Sequence, residues 1–318
     1  MLPQKLTASD STSGLISAIA TVNPSRRSML ARLARLAMLV PATSAPFLLN
    51  ACSALDALNA TVPTDAYRRS EGIAYGPDVR QRLDVYQPLA SVQTSAAPMV
   101  VFFYGGSWSM GDRAGYRFVG QALASIGFVA VVADYRLSPQ VRYPAFVQDS
   151  AQAVRWAFDN AEKFGADPRR VFAMGHSAGA YNAAMLALDA RWLAAVGLSP
   201  RQLKGWIGLA GPYDFLPISD RLTQVAFNWP NTPADSQPMV HASSASPPAL
   251  LLAPTNDRVV STQRSTVAMA NRLRASGVRV EAELFDTVSH ASLIATLAGV
   301  LRSRAPVLER ISAFVKGA

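Results

Sequence analysis

Cysteine occurs once in the 318 residues, at position 52, so no intrachain disulfide can form and stability must come from a packed core. Histidine is nearly as scarce: His176, His241 and His290 are the whole set. They form no H-E-x-x-H pattern and no His/Cys cluster, and no phosphate-binding glycine loop occurs, so no metal and no cofactor is expected. Charged residues make up only 16% against 50% hydrophobic, which excludes general disorder. No repeat with a period of 20–50 residues is present, which excludes a solenoid or propeller. A net charge of +9 would suit a nucleic acid, but the Lys/Arg block that such a partner needs is missing. Residues 1–51 hold Lys5, Arg26, Arg27, Arg32 and Arg35 against Asp10, a net of +4, and the remaining +5 is spread thinly among twenty acids. A basic surface is expected, and no nucleic-acid partner.

Also missing is an uninterrupted apolar run of the roughly 20 residues that a transmembrane helix needs. The longest candidate, residues 36–49, is broken by Pro41 and Pro46. Four arginines precede it, and Leu49-Asn50-Ala51-Cys52 follows, the arrangement of an export signal. The end of the segment resembles a bacterial lipoprotein signal: Leu49 and Ala51 fit, and Asn50 departs from the usual small residue. That resemblance implies a diacylglyceryl thioether on Cys52, an anchor of more than one acyl chain in the membrane; the competing reading is a buried structural thiol. Ser25-Arg26-Arg27 also resembles a twin-arginine motif, though paired arginines occur in ordinary signal segments. The expected organisation is an export segment at 1–51, a linker at 52–69 and one domain at 70–318. The exported chain is expected in the cell envelope, on the periplasmic face.

Downstream, residues 63–78 read as irregular and 82–86 as a short strand. Continuous apolar runs at 98–103 and 128–132 suit strands buried on both faces. A helical pattern spans 144–164, a strand 170–174, an alanine-rich helix 178–188, and buried strands 205–209 and 249–253. Helix 258–276, strand 278–285 and helix 291–302 close the series. Strands alternating with helices predict an α/β fold: a mainly parallel sheet with helices on both faces, its site beyond the carboxyl ends of the strands.

At one such end stands Met174-Gly175-His176-Ser177-Ala178-Gly179-Ala180. Glycines two residues to either side of a serine, between a strand and a helix, let a tight turn close and expose the hydroxyl. A plain turn serine is the alternative. Together with Tyr104-Gly105-Gly106-Ser107-Trp108 and with DYRLSP at 134–139, this region resembles the α/β-hydrolase superfamily, and most of all its carboxylesterases near the hormone-sensitive-lipase and kynurenine-formamidase-like branches. The resemblance covers about residues 70–315. It implies Ser177 as nucleophile and His290, after the last strand, as base. For the acid, Asp257 matches the Ser…Asp…His order of the fold, and Asp286 is its rival. His176 is too constrained to serve its neighbour, and His241 suits a loop. The amides of Gly106, Ser107 and Ala178 are the implied oxyanion donors. Tyr104 stands where the family usually has histidine, which puts the anchoring of that loop in question. Asp134, Tyr135, Arg136 and Asp149 are expected to brace it, and Trp108, Tyr213, Phe215, Phe227 and Trp229 could line an acyl pocket.

The expected function is a serine carboxylesterase acting on small-to-medium esters, because the one insertion near the site, residues 211–248, is too short for a large lid. Activity should rise with pH as His290 loses its proton. The alternatives are an amidase or formamidase with the same triad, or a non-catalytic envelope lipoprotein of the same fold.

Overall fold

Seven consecutive buried residues, Ala-Pro-Met-Val-Val-Phe-Phe, form the strand at the centre of the sheet. The computed structural model describes residues 51–89 and 96–318, and the export-like segment and the Cys52 side chain lie outside the described residues. In chain order, helix α1 (Ala51–Ala60) precedes strands β1 (Arg68–Ala74), β2 (Arg82–Gln87) and β3 (Ala97–Phe103). Helix α2 (Arg117–Ser125), strand β4 (Val129–Ala133), helix α3 (Ala145–Asn160), strand β5 (Ala166–His176) and helices α4 (Ala178–Leu188) and α5 (Ala190–Ala194) follow. Strand β6 (Gly205–Leu209), helix α6 (Arg221–Ala226), strand β7 (Ala249–Pro254), helix α7 (Ala268–Ala275), strand β8 (Val280–Phe285) and helices α8 (His290–Ala295) and α9 (Val307–Lys316) complete the chain.

The eight strands make one sheet in the order β1-β2-β4-β3-β5-β6-β7-β8. β2 pairs antiparallel with β1 and with β4, and every other pairing is parallel. All residues of β3, β4, β6 and β7 are buried, so both faces of the sheet are covered. Helix α3 supplies part of that cover through Phe146, Val147, Ala151, Val154 and Ala157, one apolar stripe at helical spacing. After β3 the chain steps to β4 on one side, then crosses back to β5 on the other. The carboxyl ends of β3 and β5 are therefore neighbours, with Phe103 opposite Gly175, and the crevice that such a reversal opens lies just beyond them.

The stretch expected to be a linker and irregular coil instead carries α1 and β1. Asn59 fastens α1 to the rest: its side-chain amide donates to the Ala114 carbonyl at 2.9 Å and its Oδ1 accepts from the Phe118 amide at 3.1 Å. β1 is a charged edge strand, where Arg69 reaches Asp84 at 2.7 Å. Leu55 and Leu58, three residues apart on α1, also pack against the core, and both elements are held by partners distant in sequence. The helix expected over 258–276 starts later, because a π-helical turn at Gln263–Val267 precedes α7 and residues 258–262 form a loop. The expected final helix is broken into α8 and a 3-10 segment, Gly299–Arg304, and α2 and α9 were not anticipated.

Candidate active site

Ser177 joins β5 to α4 with φ 54° and ψ −122°. A side chain held there costs on the order of 1–3 kcal/mol, so the surroundings must impose it. They do, through close packing. A Cβ on Gly175 would lie 2.1 Å from the Gly179 carbonyl oxygen, and one on Gly179 would lie 2.0 Å from that of Phe103. Only glycine at both positions lets the turn close against β3. The Ser177 amide donates to the Leu209 carbonyl at 2.9 Å, which ties the turn to β6 as well.

His290 opens α8, where Ser289 caps the helix. The Ser177 hydroxyl meets His290 Nε2 at 2.9 Å, and His290 Nδ1 meets Asp257 Oδ2 at 2.7 Å. A carboxylate only accepts, so Nδ1 carries the hydrogen and Nε2 is left free to take the serine proton. Burial is the largest influence on Asp257 and pushes its carboxyl up. The hydrogen bonds from His290 and from the amides of Val259 and Val260 outweigh burial, and its pKa ends below the ordinary 3.8. Asp257 is thus an anion beside the imidazole, with a side chain only 1% exposed. Asp286, the rival acid, is exposed, and among the described residues it makes no hydrogen bond or ion pair with the His290 ring. The structure therefore brings Ser177, Asp257 and His290 together in one chain of hydrogen bonds.

The loop after β3 runs beside this turn with three consecutive positive φ angles: Gly106 at 129°, Ser107 at 49° and Trp108 at 55°. Among the described residues, the amides of Gly106, Ser107 and Ala178 donate to no protein acceptor. Ser107, Ser177 and Ala178 line one cavity of about 370 Å³ together with Trp108, Phe215 and Ile218. Free amides beside the cavity that Ser177 lines are what an oxyanion site requires. Trp108 and Phe215 line it as the sequence suggested. Phe227 stands behind Trp108, edge to face at 4.7 Å, whereas Tyr213 packs against Trp206 away from the cavity.

Tyr104 answers the question of how this loop is anchored. Its hydroxyl donates to Asp134 Oδ1 at 2.9 Å and accepts from Arg80 Nη2 at 2.7 Å. Its carbonyl accepts from the Tyr135 hydroxyl at 2.7 Å, and the Tyr104 ring stacks on Tyr135 at 4.9 Å and on Tyr116 at 5.4 Å. Asp134 also takes the amide and guanidinium of Arg113, which in turn reaches Asp84 at 2.9 Å. Burial pushes the Asp134 carboxyl up, against the pull of Arg113 and Tyr104. Arg136 and Asp149 pair beside it at 2.7 Å. Tyrosine thus does the anchoring expected of the family's histidine, through Arg80 just before β2, Asp134 and Tyr135 just after β4, and Tyr116 just before α2.

His176 has a role that the sequence did not reveal. It is buried and its Nε2 lies 3.0 Å from the His290 carbonyl oxygen. Since a carbonyl only accepts, Nε2 donates and Nδ1 is left bare, with no partner among the described residues. Burial first, and then the neighbouring His290, pushes its pKa down to about 3. The ring is a neutral strut between the Ser177 turn and the backbone of His290. An apolar strand leading straight into His176 was the available signal, since it places the ring at the buried end of β5. His241 is remote from this centre, with Nε2 2.7 Å from the Asp235 carbonyl oxygen. Among the described residues, no group of three or more His, Cys, Asp or Glu could hold a metal ion.

A family model described as BD-FAE matches residues 83–273. The isoprenylcysteine alpha-carbonyl methylesterase of Arabidopsis thaliana is 30% identical over 247 residues, covering 71% of this chain and 57% of that protein. Esterase LipC of Mycobacterium tuberculosis is 29% identical over 228 residues, 66% of this chain and 56% of its own length. The chain spans about half the length of the curated relatives it matches. Among solved structures, the Pyrobaculum calidifontis esterase superposes with a TM-score of 0.67 at 25% identity, covering 84% of this chain and 90% of that one. A thermophilic esterase from Thermogutta terrifontis with propionate bound shares the fold, with a TM-score of 0.64 at 23% identity over 80% of this chain and 96% of its own.

Proposed function

We propose, from the premise that this chain belongs to the BD-FAE family, that it is a serine carboxylesterase working through an acyl-enzyme. One observation carries the reading: Ser177 Oγ, held at positive φ on a turn facing a cavity, is linked at 2.9 Å to His290, which is linked at 2.7 Å to a buried Asp257. Ser177 Oγ attacks the ester carbonyl carbon as its proton passes to His290 Nε2, and Asp257 stabilises the imidazolium. The carbonyl oxygen, now negative, is held by the amides of Gly106, Ser107 and Ala178. Collapse breaks the bond to the alcohol, which leaves with the proton from Nε2. Water then attacks the acyl-enzyme by the same route and the free acid departs. A cavity of about 370 Å³ lies near the lower end of the roughly 300–1,000 Å³ usual for ligand sites, which supports small-to-medium esters.

The test is hydrolysis of 4-nitrophenyl esters from acetyl to decanoyl by wild type and Ser177→Ala. A loss of about 10³-fold or more in the variant, with the best rates at short to medium chains, is expected. Wild type no faster than a folded variant across the series would end the esterase reading.

The proposal extends to location: an exported protein held at the membrane by lipid on Cys52. Its support is the arginine-led apolar segment that ends in Leu49-Asn50-Ala51-Cys52. Among the described residues, no helix is long and apolar enough to cross a membrane.

A further inference from the structure

Arg258 follows the triad acid directly in the chain, and Asp257 itself fixes where it stands. The free oxygen of that carboxylate, Oδ1, accepts the amides of Val259 at 2.8 Å and Val260 at 3.1 Å, which folds residues 257–260 into a tight turn. The turn projects outward, with Arg258 exposed and Val259 69% exposed. It forms a wall between two cavities. One, of about 370 Å³, opens on Ser177. The other, of about 510 Å³, opens on His290, with Asn256, Asp286 and Thr287 around it. Arg258 and Val259 line both.

Three other arginines near the site are committed: Arg80 to Tyr104 and two carbonyls, Arg113 to Asp84 and Asp134, Arg136 to Asp149. Arg258 has no hydrogen bond and no ion pair among the described residues. Two acids share its cavities, Asp220 in the first and Asp286 in the second, and neither lies within the 4.0 Å of an ion pair. Asp220 is engaged elsewhere: its Oδ2 accepts from the Thr223 amide at 2.8 Å and hydroxyl at 2.7 Å, capping α6. An unpaired guanidinium on a pinned turn, flanking both the nucleophile and the base, is suited to a planar anion.

We propose that the substrate is an ester carrying a carboxylate, which Arg258 receives while the ester carbonyl sits at Ser177. This rests on the esterase reading above. The net charge of +5 on residues 52–318 favours the encounter with such an anion. Because Arg258 lines both cavities, the carboxylate belongs either to the acyl group or to the alcohol, and two pairs of substrates separate these. The acyl arm compares the mono-4-nitrophenyl ester of glutarate with 4-nitrophenyl pentanoate. The alcohol arm compares 4-acetoxybenzoate with 4-acetoxytoluene. The quantity read is the anionic-to-neutral ratio of kcat/KM at low salt, with spontaneous hydrolysis subtracted, in wild type, Arg258→Gln and Arg258→Lys. Dividing one enzyme's ratio by another's cancels the intrinsic reactivity of each ester.

In one arm the ratio should fall at least about tenfold in Arg258→Gln, the weight of a charge-assisted hydrogen bond. Arg258→Lys should recover only part of it, and added salt should lower the wild-type ratio. A ratio changed by less than threefold in both arms overturns the assignment of Arg258, whatever the absolute rates. Failure of wild type to turn over any of the four esters is a different result, and it overturns the esterase reading instead.

Discussion

Replacing Tyr104 by phenylalanine removes one oxygen atom from the anchor of the oxyanion loop and leaves the ring in place. The ring stays stacked on Tyr135 at 4.9 Å and Tyr116 at 5.4 Å, so packing is retained. Two hydrogen bonds are lost, one to the Asp134 carboxylate at 2.9 Å and one from the Arg80 guanidinium at 2.7 Å. Hydrogen bonds to ionised groups contribute about 1.5–3 kcal/mol each. Asp134 keeps Arg113, and Arg80 keeps the carbonyls of Tyr135 and Gly111, so the loss is partly compensated. We expect about 2–4 kcal/mol less stability by urea unfolding. Gly106 and Ser107 lie two and three residues further along the same loop, and slight misplacement of transition-state donors acts on the chemical step. In 4-nitrophenyl ester assays kcat should fall about 10- to 100-fold with KM within about threefold. A variant within about 0.5 kcal/mol of wild type and within twofold in kcat would refute the anchoring role.

Two further outcomes are expected. His176, held at about 3 against an ordinary 6.5, binds a proton more readily in the unfolded chain. Stability is therefore lost as pH falls from about 6.5 toward 3, by about 2–3 kcal/mol between pH 7 and 4.5 from this residue alone. Below that window Asp257 acts in the same direction, since its contribution is present above about 3.8 and lost as pH falls through its lower folded value. Urea titrations at the two pH values should show a smaller drop for His176→Asn than for wild type, and equal drops would remove His176 as the cause. For the lipid anchor, radiolabelled palmitate should enter the full chain expressed in a bacterium but not Cys52→Ala, and equal labelling of the two would discard Cys52 as the modified residue.

Much of the fold was legible because local pattern and burial coincide. The runs at 98–103 and 128–132 are apolar throughout, and a strand covered on both faces has no other use for such a run. The helix α9 carries an equally clear signal, with Val307, Leu308, Ile311, Phe314 and Val315 at helical spacing, beyond the last element expected from the sequence. Helix α2 was harder to see, because Gly120 interrupts its pattern. A Cβ there would lie 2.4 Å from the Tyr86 ring, so that glycine answers to a contact on β2 rather than to the helix. The pattern over 258–276 misled in the opposite way. Its first residues form a loop whose Val259 and Val260 amides turn back to Asp257, and helical structure begins only with the π-helical turn at Gln263–Val267.

The sequence by itself determined the succession of strands from β2 to β8, with α3, α4 and α7 among them, the glycine-flanked turn at Ser177 and the chain order of the triad. These depend on residues close in sequence or on the fold's fixed succession of strand ends. Only the tertiary structure decided between Asp257 and Asp286, because a carboxylate's role rests on which one reaches His290, and four residues of separation do not deliver Asp286 there. It alone showed Tyr104 held by Asp134 and Arg80, His176 bracing His290 across 114 residues of chain, and Arg258 standing between two cavities. Each of these is a contact between segments with no shared local pattern. Such contacts exist only after the sheet has set its strand ends side by side.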